Sequence, residues 1–161
     1  MPRSTATSLD LPPMLRPVDR HDVRFLRDML RHAYHWRLSE DAERPVYRYV
    51  RNWGRHGDAG VIAMEGPHAY GAAWYRLFTA DEPGFGFVDE KTPELTIAVV
   101  PSRRGKGAGK ELLDALLARA RADGYDAVSL STDAGQVAWY ERFGFETVAD
   151  VPHAVTMVKR F

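Results

Sequence analysis

The sequence predicts a mixed α/β (α+β) fold, a mixed sheet with helices packed on it. Runs of strong β-formers recur, such as ELTIAVV (94–100) and DAVSLST (126–132). Between them, DRHDVRFLRDMLRHAYHW (19–36) and GKELLDALLARARADG (109–124) place apolar residues at helical spacing. The order reads one strand, two helices, three strands, helix, strand, helix and two strands, which is the layering of helices on a sheet.

Each element has its own local reason. MLRPV (14–18) reads as a short first strand. Val23, Leu26, Leu30 and Ala33 then share a helix face, with Asp19 or Asp22 to cap its start. Pro45 suits the first turn of a second helix, whose face would carry Val46, Tyr49, Val50 and Trp53 before Gly54 and Gly57 end it. AGVIAMEG (59–66) and HAYGAAWYRLFT (68–79) flank a Gly66-Pro67 turn and predict an antiparallel hairpin. ADEPGFGFVDEKTP (80–93) is a long loop of the kind that often carries function. Leu112, Leu113, Leu116, Leu117 and Ala120 form the next helix face, closed by Asp123-Gly124. Gln136 to Phe143 predicts a short helix, and FETVAD (145–150) and HAVTMVKRF (153–161) the closing strands.

Composition narrows the function. At 161 residues with 45% apolar residues, the chain fits one domain, 14–161, behind a flexible polar tail over 1–13. Lys and Arg number 22, as do Asp and Glu, so the basic excess that nucleic-acid binding needs is missing. No apolar run approaches the roughly 18 residues of a membrane span. The expectation is a cytoplasmic enzyme or binding module, with neither nucleic acid nor membrane as partner. There is no cysteine, which excludes disulfides, thiolate metal sites and a cysteine nucleophile.

The segment PSRRGKGAGKELL (101–113) lies between a strand and the first turn of a helix. That position gathers unpaired backbone N–H groups at the positive end of the helix. Glycine lets an anion approach the backbone, and Arg103, Arg104, Lys106 and Lys110 add charge. The reading is a phosphate site; the alternative is a flexible basic turn. A P-loop fails, because Arg104 stands where its first glycine belongs and Glu111 where Ser or Thr should be. A dinucleotide fingerprint fails too, since Gly105, Gly107 and Gly109 give G-x-G-x-G rather than G-x-G-x-x-G.

Arg104-Gly105-Lys106-Gly107-Ala108-Gly109 resembles the Q/R-x-x-G-x-G/A signature of the GNAT superfamily, the acetyl-coenzyme A dependent N-acetyltransferases. STDAGQVAWYERFGFE (131–146) resembles that family's N-x-x-x-x-x-x-Y-E-R/K-x-G-F segment. The resemblance implies a mostly antiparallel sheet of six to seven strands, helices on both faces, splayed between the fourth and fifth strands. It implies acetyl-coenzyme A as cosubstrate in that gap. Its arm would pair with backbone at Ala98, Val99 and Val100, and its pyrophosphate would sit on the amides of Arg104, Gly105, Lys106, Gly107, Ala108, Gly109 and Lys110. Tyr140 matches the tyrosine near the coenzyme A sulfur, a general acid; the other reading is a core tyrosine. Asp133 stands where many members carry asparagine, as a cofactor contact or as a helix cap. Glu94 matches the position of a general-base glutamate in some members, to deprotonate the attacking amine directly or through water; the other reading is a solvated strand-end carboxylate. In this fold the first two helices and the loop after the third strand wall the acceptor site, so Trp36, Trp74, Tyr75, Phe85 and Phe87 are candidates to line it.

The implied activity is acetyl transfer to a small-molecule or peptide amine in a ternary complex. A coenzyme A-binding module without catalysis is the alternative. Homodimers are common in the family. His32 and His35 stand i, i+3 on a helix, but no carboxylate pattern completes a metal site. Asp81, Glu82, Asp89 and Glu90 in the long loop either attract a cationic amine or form a solvated loop.

Overall fold

The structure is a computed structural model and describes residues 14–35, 46–151 and 154–161. The tail over 1–13, Trp36 and the helix start expected at Pro45 lie outside the described residues. Strand β1 (Leu15–Pro17) is followed by helix α1 (Val23–Ala33). Strands β2 (Ala59–Glu65), β3 (His68–Arg76) and β4 (Glu94–Val99) come next, then α2 (Ala108–Ala122) and β5 (Ala127–Thr132). Short α3 (Val137–Glu141), β6 (Glu146–Val151) and β7 (Ala154–Arg160) close the chain. No helix of the described residues is long and apolar enough to cross a membrane.

The sheet has seven strands in the order β1-β2-β3-β4-β5-β7-β6. Every neighbouring pair is antiparallel except β4–β5, which is parallel. Strand alternation divides the core. Ala72, Trp74 and Ala98 face α1, whose Leu26, Met29 and Leu30 meet them. Ala73, Tyr75, Leu95 and Val99 face α2 and its Leu112, Leu113 and Leu116. With both faces covered, β3 reads as one continuous apolar run rather than an alternation.

Asp19 and Asp22 both work at the start of α1. The Asp19 side chain accepts from the His21 amide at 2.7 Å, and Asp22 accepts from the Asp19 amide at 2.9 Å, a capping box. Asp22 also takes two bonds from Arg16, at 2.7 and 2.9 Å, and these hold its carboxyl below the usual carboxylate range.

The second helix expected from Pro45 lies partly outside the described residues; residues 46–47 are helical, and 48–52 continue as turns closed by Val50 N–H on the Tyr47 carbonyl. Asn52 at φ 57° breaks the run. Arg76 sends Nη1 to the carbonyls of Arg48 (2.9 Å) and Arg51 (2.6 Å), groups that a continuing helix would use internally. Its other nitrogens grip Asp58 at 2.8 and 2.9 Å, and neither side chain reaches water, at 0% and 2% exposure. Asp58 also accepts from the amides of Gly54 and Arg55, so its carboxylate is fully satisfied. Asp58→Ala would leave the Arg76 charge buried without its counterion. The expected loss is about 3–5 kcal/mol of stability, read as a lower urea midpoint with an unchanged slope.

Candidate active site

β4 and β5 touch at one register pair, Glu94↔Ser129, and at the Ser129 amide on the Pro93 carbonyl (3.0 Å). Beyond that point they diverge, while β3 and β7 remain zipped to their outer edges. The gap is a cleft walled by Thr96, Ile97 and Val99 on one side and by Leu130, Ser131 and Tyr140 on the other.

Backbone parity says which groups face the gap. The Val100 amide donates to the Tyr70 carbonyl at 2.9 Å. Hydrogen-bonded pairs recur at every second residue of an antiparallel ladder, so Ala98 and Thr96 also spend their backbone groups on β3. Ile97 and Val99 present theirs to the cleft, where the Val99 carbonyl accepts from Arg104 Nε at 2.9 Å. This corrects the expectation for Ala98 and Val100. Their amides are not available to a ligand strand, and Ala98 contributes only its side-chain face to the cleft.

The glycine loop closes one end. Pro101–Arg103 form a 3-10 turn, and the Arg104 amide is used on the Pro101 carbonyl at 3.3 Å, so it too is withdrawn from the expected anion seat. Gly105 and Gly107 have φ of 80° and 89°, which no side chain adopts cheaply. Gly107 caps α2, and the first amides of that helix, at Ala108, Gly109 and Lys110, have no acceptor within the helix. Arg104 and Gly109 line the cleft. Arg103 turns away, pairing with Glu65 and lying 4.8 Å over the Tyr70 ring. Lys110 pairs with Asp114 at 2.8 Å on the exposed surface.

Tyr140 lies in the far wall, 9% exposed, its ring edge-on to Trp139 at 5.0 Å and to Phe145 at 5.7 Å. Burial first, and the Asp133 charge second, push its phenol above the ordinary range, so it is protonated at neutral pH. Asp133 makes no side-chain capping bond. Its backbone carbonyl serves the Gln136 amide, while Oδ1 is buried with no partner among the described residues. Ser131 Oγ is likewise buried without a partner. Such atoms cost about 1–3 kcal/mol each unless something polar meets them, so this wall suits a polar ligand.

Glu94 is not in solvent. It is 1% exposed at the closed end of the gap, behind the cleft wall, and accepts from the Tyr49 hydroxyl and from the Gly86 amide at 2.9 Å. This explains the glycines of the 80–93 loop. A Cβ on Gly84 would collide with Glu94 Oε1, and one on Gly86 would lie 2.6 Å from the Leu130 backbone.

Of the expected acceptor walls, Trp74 and Tyr75 are core residues, a correction with a clear cause. Both are fully buried. Trp74 Nε1 donates to the Tyr49 carbonyl at 3.0 Å, and the Tyr75 hydroxyl donates to Asp123 at 2.6 Å on the α2 side of the sheet. Phe85 and Phe87 are half-buried against the α1 cluster, with the Phe85 ring 5.6 Å from that of Tyr34. Four wall residues were not chosen from sequence for this role: His32, Tyr34, Thr96 and Ser131. Burial, with the Arg104 charge next, lowers the His32 pKa, so its imidazole is neutral at pH 7. Among the described residues, no group of three His, Asp or Glu could hold a metal.

A split sheet, a glycine-capped helix end and a protonated phenol on the gap define a protein that takes an extended ligand with an anionic end between two strands. The chain belongs to the Acetyltransferase (GNAT) family, whose model matches residues 23–145, and it is an acyltransferase. The fold agrees with solved structures. The ribosomal-protein-alanine N-acetyltransferase of Brucella melitensis is 21% identical with a TM-score of 0.67, covering 91% of this chain and 99% of that one. The PaiA N-acetyltransferase of Thermoplasma acidophilum, in complex with coenzyme A, is 14% identical with a TM-score of 0.66, covering 91% and 98%. YncA from Salmonella typhimurium, solved with its cofactor acetyl-CoA, is 19% identical with a TM-score of 0.69, covering 91% and 92%. A sequence comparison with curated proteins finds no match.

Gly86→Ala is expected to lower stability by about 1–3 kcal/mol, since Leu130 backbone cannot yield as a flexible side chain would. A melting temperature equal to the parent's would mean that the loop does not press on β5.

Proposed function

We propose that the protein transfers the acetyl group of acetyl-coenzyme A to a primary amine by direct attack in a ternary complex. The observation that carries this reading is the gap between β4 and β5, with the backbone amides of Ile97 and Val99 turned to one edge and a glycine-capped helix end at its mouth. The cosubstrate's amide arm extends the sheet along β4, and its pyrophosphate takes the open amides from Gly105 to Lys110. A gap-facing amide of Ile97 or Val99 polarises the thioester carbonyl.

The amine binds on the α1 side, between Tyr34, Thr96, His32 and Ser131, whose unpartnered hydroxyl supplies a polar contact. Phe85 and Phe87 bound that side. Glu94 is the proton acceptor. No cysteine exists to carry the acetyl group, so the nitrogen attacks the thioester itself.

Tyr140 assists the leaving sulfur. A thiol has a pKa near 8.5, below that of this phenol, so full transfer to a free thiolate is uphill. The hydroxyl donates a hydrogen bond as the C–S bond lengthens, and the proton it passes to sulfur is replaced by the second proton that leaves the nitrogen. Of the two protons that an ammonium nitrogen loses on becoming an amide, one ends on sulfur and one reaches water.

Acetyl-coenzyme A and coenzyme A are expected to raise the melting temperature where ATP and NADH do not. Thiol release with a panel of primary amines then tests transfer. Tyr140→Phe should lower kcat about 10²-fold with acetyl-coenzyme A affinity retained. Binding of coenzyme A with no thiol release from any amine would instead support a non-catalytic module.

A further inference from the structure

Helix α1 buries Leu26, Met29 and Leu30 against the sheet, so its opposite face lies in solvent. That face carries mostly one sign of charge. Arg24, Arg27 and Arg31 follow at spacings of three and four, which is one stripe along a helix. Arg20, on the 3-10 turn before α1, stands four residues ahead of Arg24. All four arginines are exposed. Among the described residues none of them has an ion-pair partner. The acids at the start of α1 are engaged elsewhere, Asp22 with Arg16 and Asp19 with the His21 amide. Asp28 is the one other carboxylate between residues 19 and 35. The chain as a whole is neutral, with 22 basic and 22 acidic residues, so the stripe is a local excess. A merely solvated face ordinarily intersperses both signs.

The stripe leads to the cleft. Arg31 adjoins His32, and His32, His35 and Arg104 line the cleft. The Arg104 and Arg31 charges add to burial in lowering the His32 pKa, so both cations stand near that ring. From Arg31 back to Arg24 the helix rises about 10 Å, the reach of about three residues of extended chain. Arg27 is held in place, its guanidinium 4.5 Å over the Tyr47 ring.

We propose that this arginine stripe docks an acidic polypeptide whose own primary amine enters the cleft; this rests on the acetyltransferase reading above and names its acceptor class. A polypeptide supplies both needs in one chain, an amine at its N-terminus or at a lysine and carboxylates at a set distance from it. Arginine pairs with a carboxylate through two parallel N–H bonds, so a row of arginines selects a row of acids over neutral chain. A small amine reaches the cleft without touching the stripe. The stripe therefore sets preference among acceptors and leaves the chemistry to the cleft. The acceptor carries Asp or Glu over about three or four residues, beginning a few residues from the amine.

The test uses the full chain saturated with coenzyme A and two peptides labelled at the C-terminus. They share a free N-terminal amine and a short neutral lead, then continue as a run of Glu or a run of Gln. Fluorescence anisotropy at low salt should show the acidic peptide binding about tenfold more tightly, because exposed ion pairs are weak singly and add along a row. The preference should fade at high salt. Arg24→Glu with Arg27→Glu should abolish it, with coenzyme A affinity and turnover of a responsive small amine unchanged. Arg20→Glu with Arg24→Glu should act alike, which keeps the test open if loss of the Arg27–Tyr47 contact harms folding. With acetyl-coenzyme A, the acidic peptide should be acetylated at a KM about tenfold below that of the neutral one. Equal binding of the two peptides, a preference that survives both charge reversals, or a bound acidic peptide that is never acetylated would overturn the proposal. So would a preference for single-stranded oligouridylate over the acidic peptide. Each of these leaves acetyl transfer to small amines standing. Failure of the wild type to bind coenzyme A would instead remove the reading on which the docking rests.

Discussion

Two parallel strands that share one register pair and then part leave two backbone edges exposed inside the protein. Exposed edges are normally blunted or covered. Here each is held rigid by an antiparallel partner on its far side, β3 for β4 and β7 for β5, so the gap cannot close by local adjustment. The gap also starts at a fixed point, because Glu94 pairs with Ser129 and the Ser129 amide is tied to Pro93. The glycine loop, the phenol of Tyr140 and the buried carboxylate are all placed by reference to that split.

The carboxylate in turn depends on contacts far from the cleft. Tyr49, which holds Glu94, belongs to the segment whose Arg48 and Arg51 carbonyls Arg76 binds. Arg76 is itself anchored by Asp58. A buried ion pair is weak evidence for net stability but strong evidence for a defined geometry when all its groups are satisfied, as they are here. The Trp74 indole adds a bond to the Tyr49 carbonyl. Trp74, whose chemistry would suit a substrate contact, thus supports the Glu94 carboxylate from behind through Tyr49.

Legibility in the sequence followed the range of the forces involved. The sheet, α1 and α2 were readable because apolar periodicity is local, and the glycine loop because positive φ and a helix N-terminus leave a local mark. The turns over 48–52 leave no local mark, because a guanidinium on a distant strand bonds the Arg48 and Arg51 carbonyls. Trp74 and Tyr75 were misassigned because a strand buried on both faces gives no alternation to show which side chains meet a cleft. The resemblance points to the backbone at Ala98–Val100, and only the register with β3 shows that Ile97 and Val99 are the ones whose backbone groups face the gap. Glu94 stands out by its spacing from the glycine loop, but its burial depends on Tyr49 and the loop glycines, which no spacing rule connects.

Strand alternation finally separates the two proton tasks of the proposed reaction. Side chains at 94 and 96 point to the α1 face, while Tyr140 belongs to the cluster under α2. The backbone at 97 and 99 lies between, facing the gap. One short strand would then bind the thioester with its edge, accept the amine's proton on one face and leave the departing sulfur to a donor on the other. A donor and an acceptor on the same face could exchange a proton with each other and accomplish nothing. Placing them on opposite faces makes the substrates themselves the connection, so proton movement is tied to formation of the C–N bond and loss of the C–S bond.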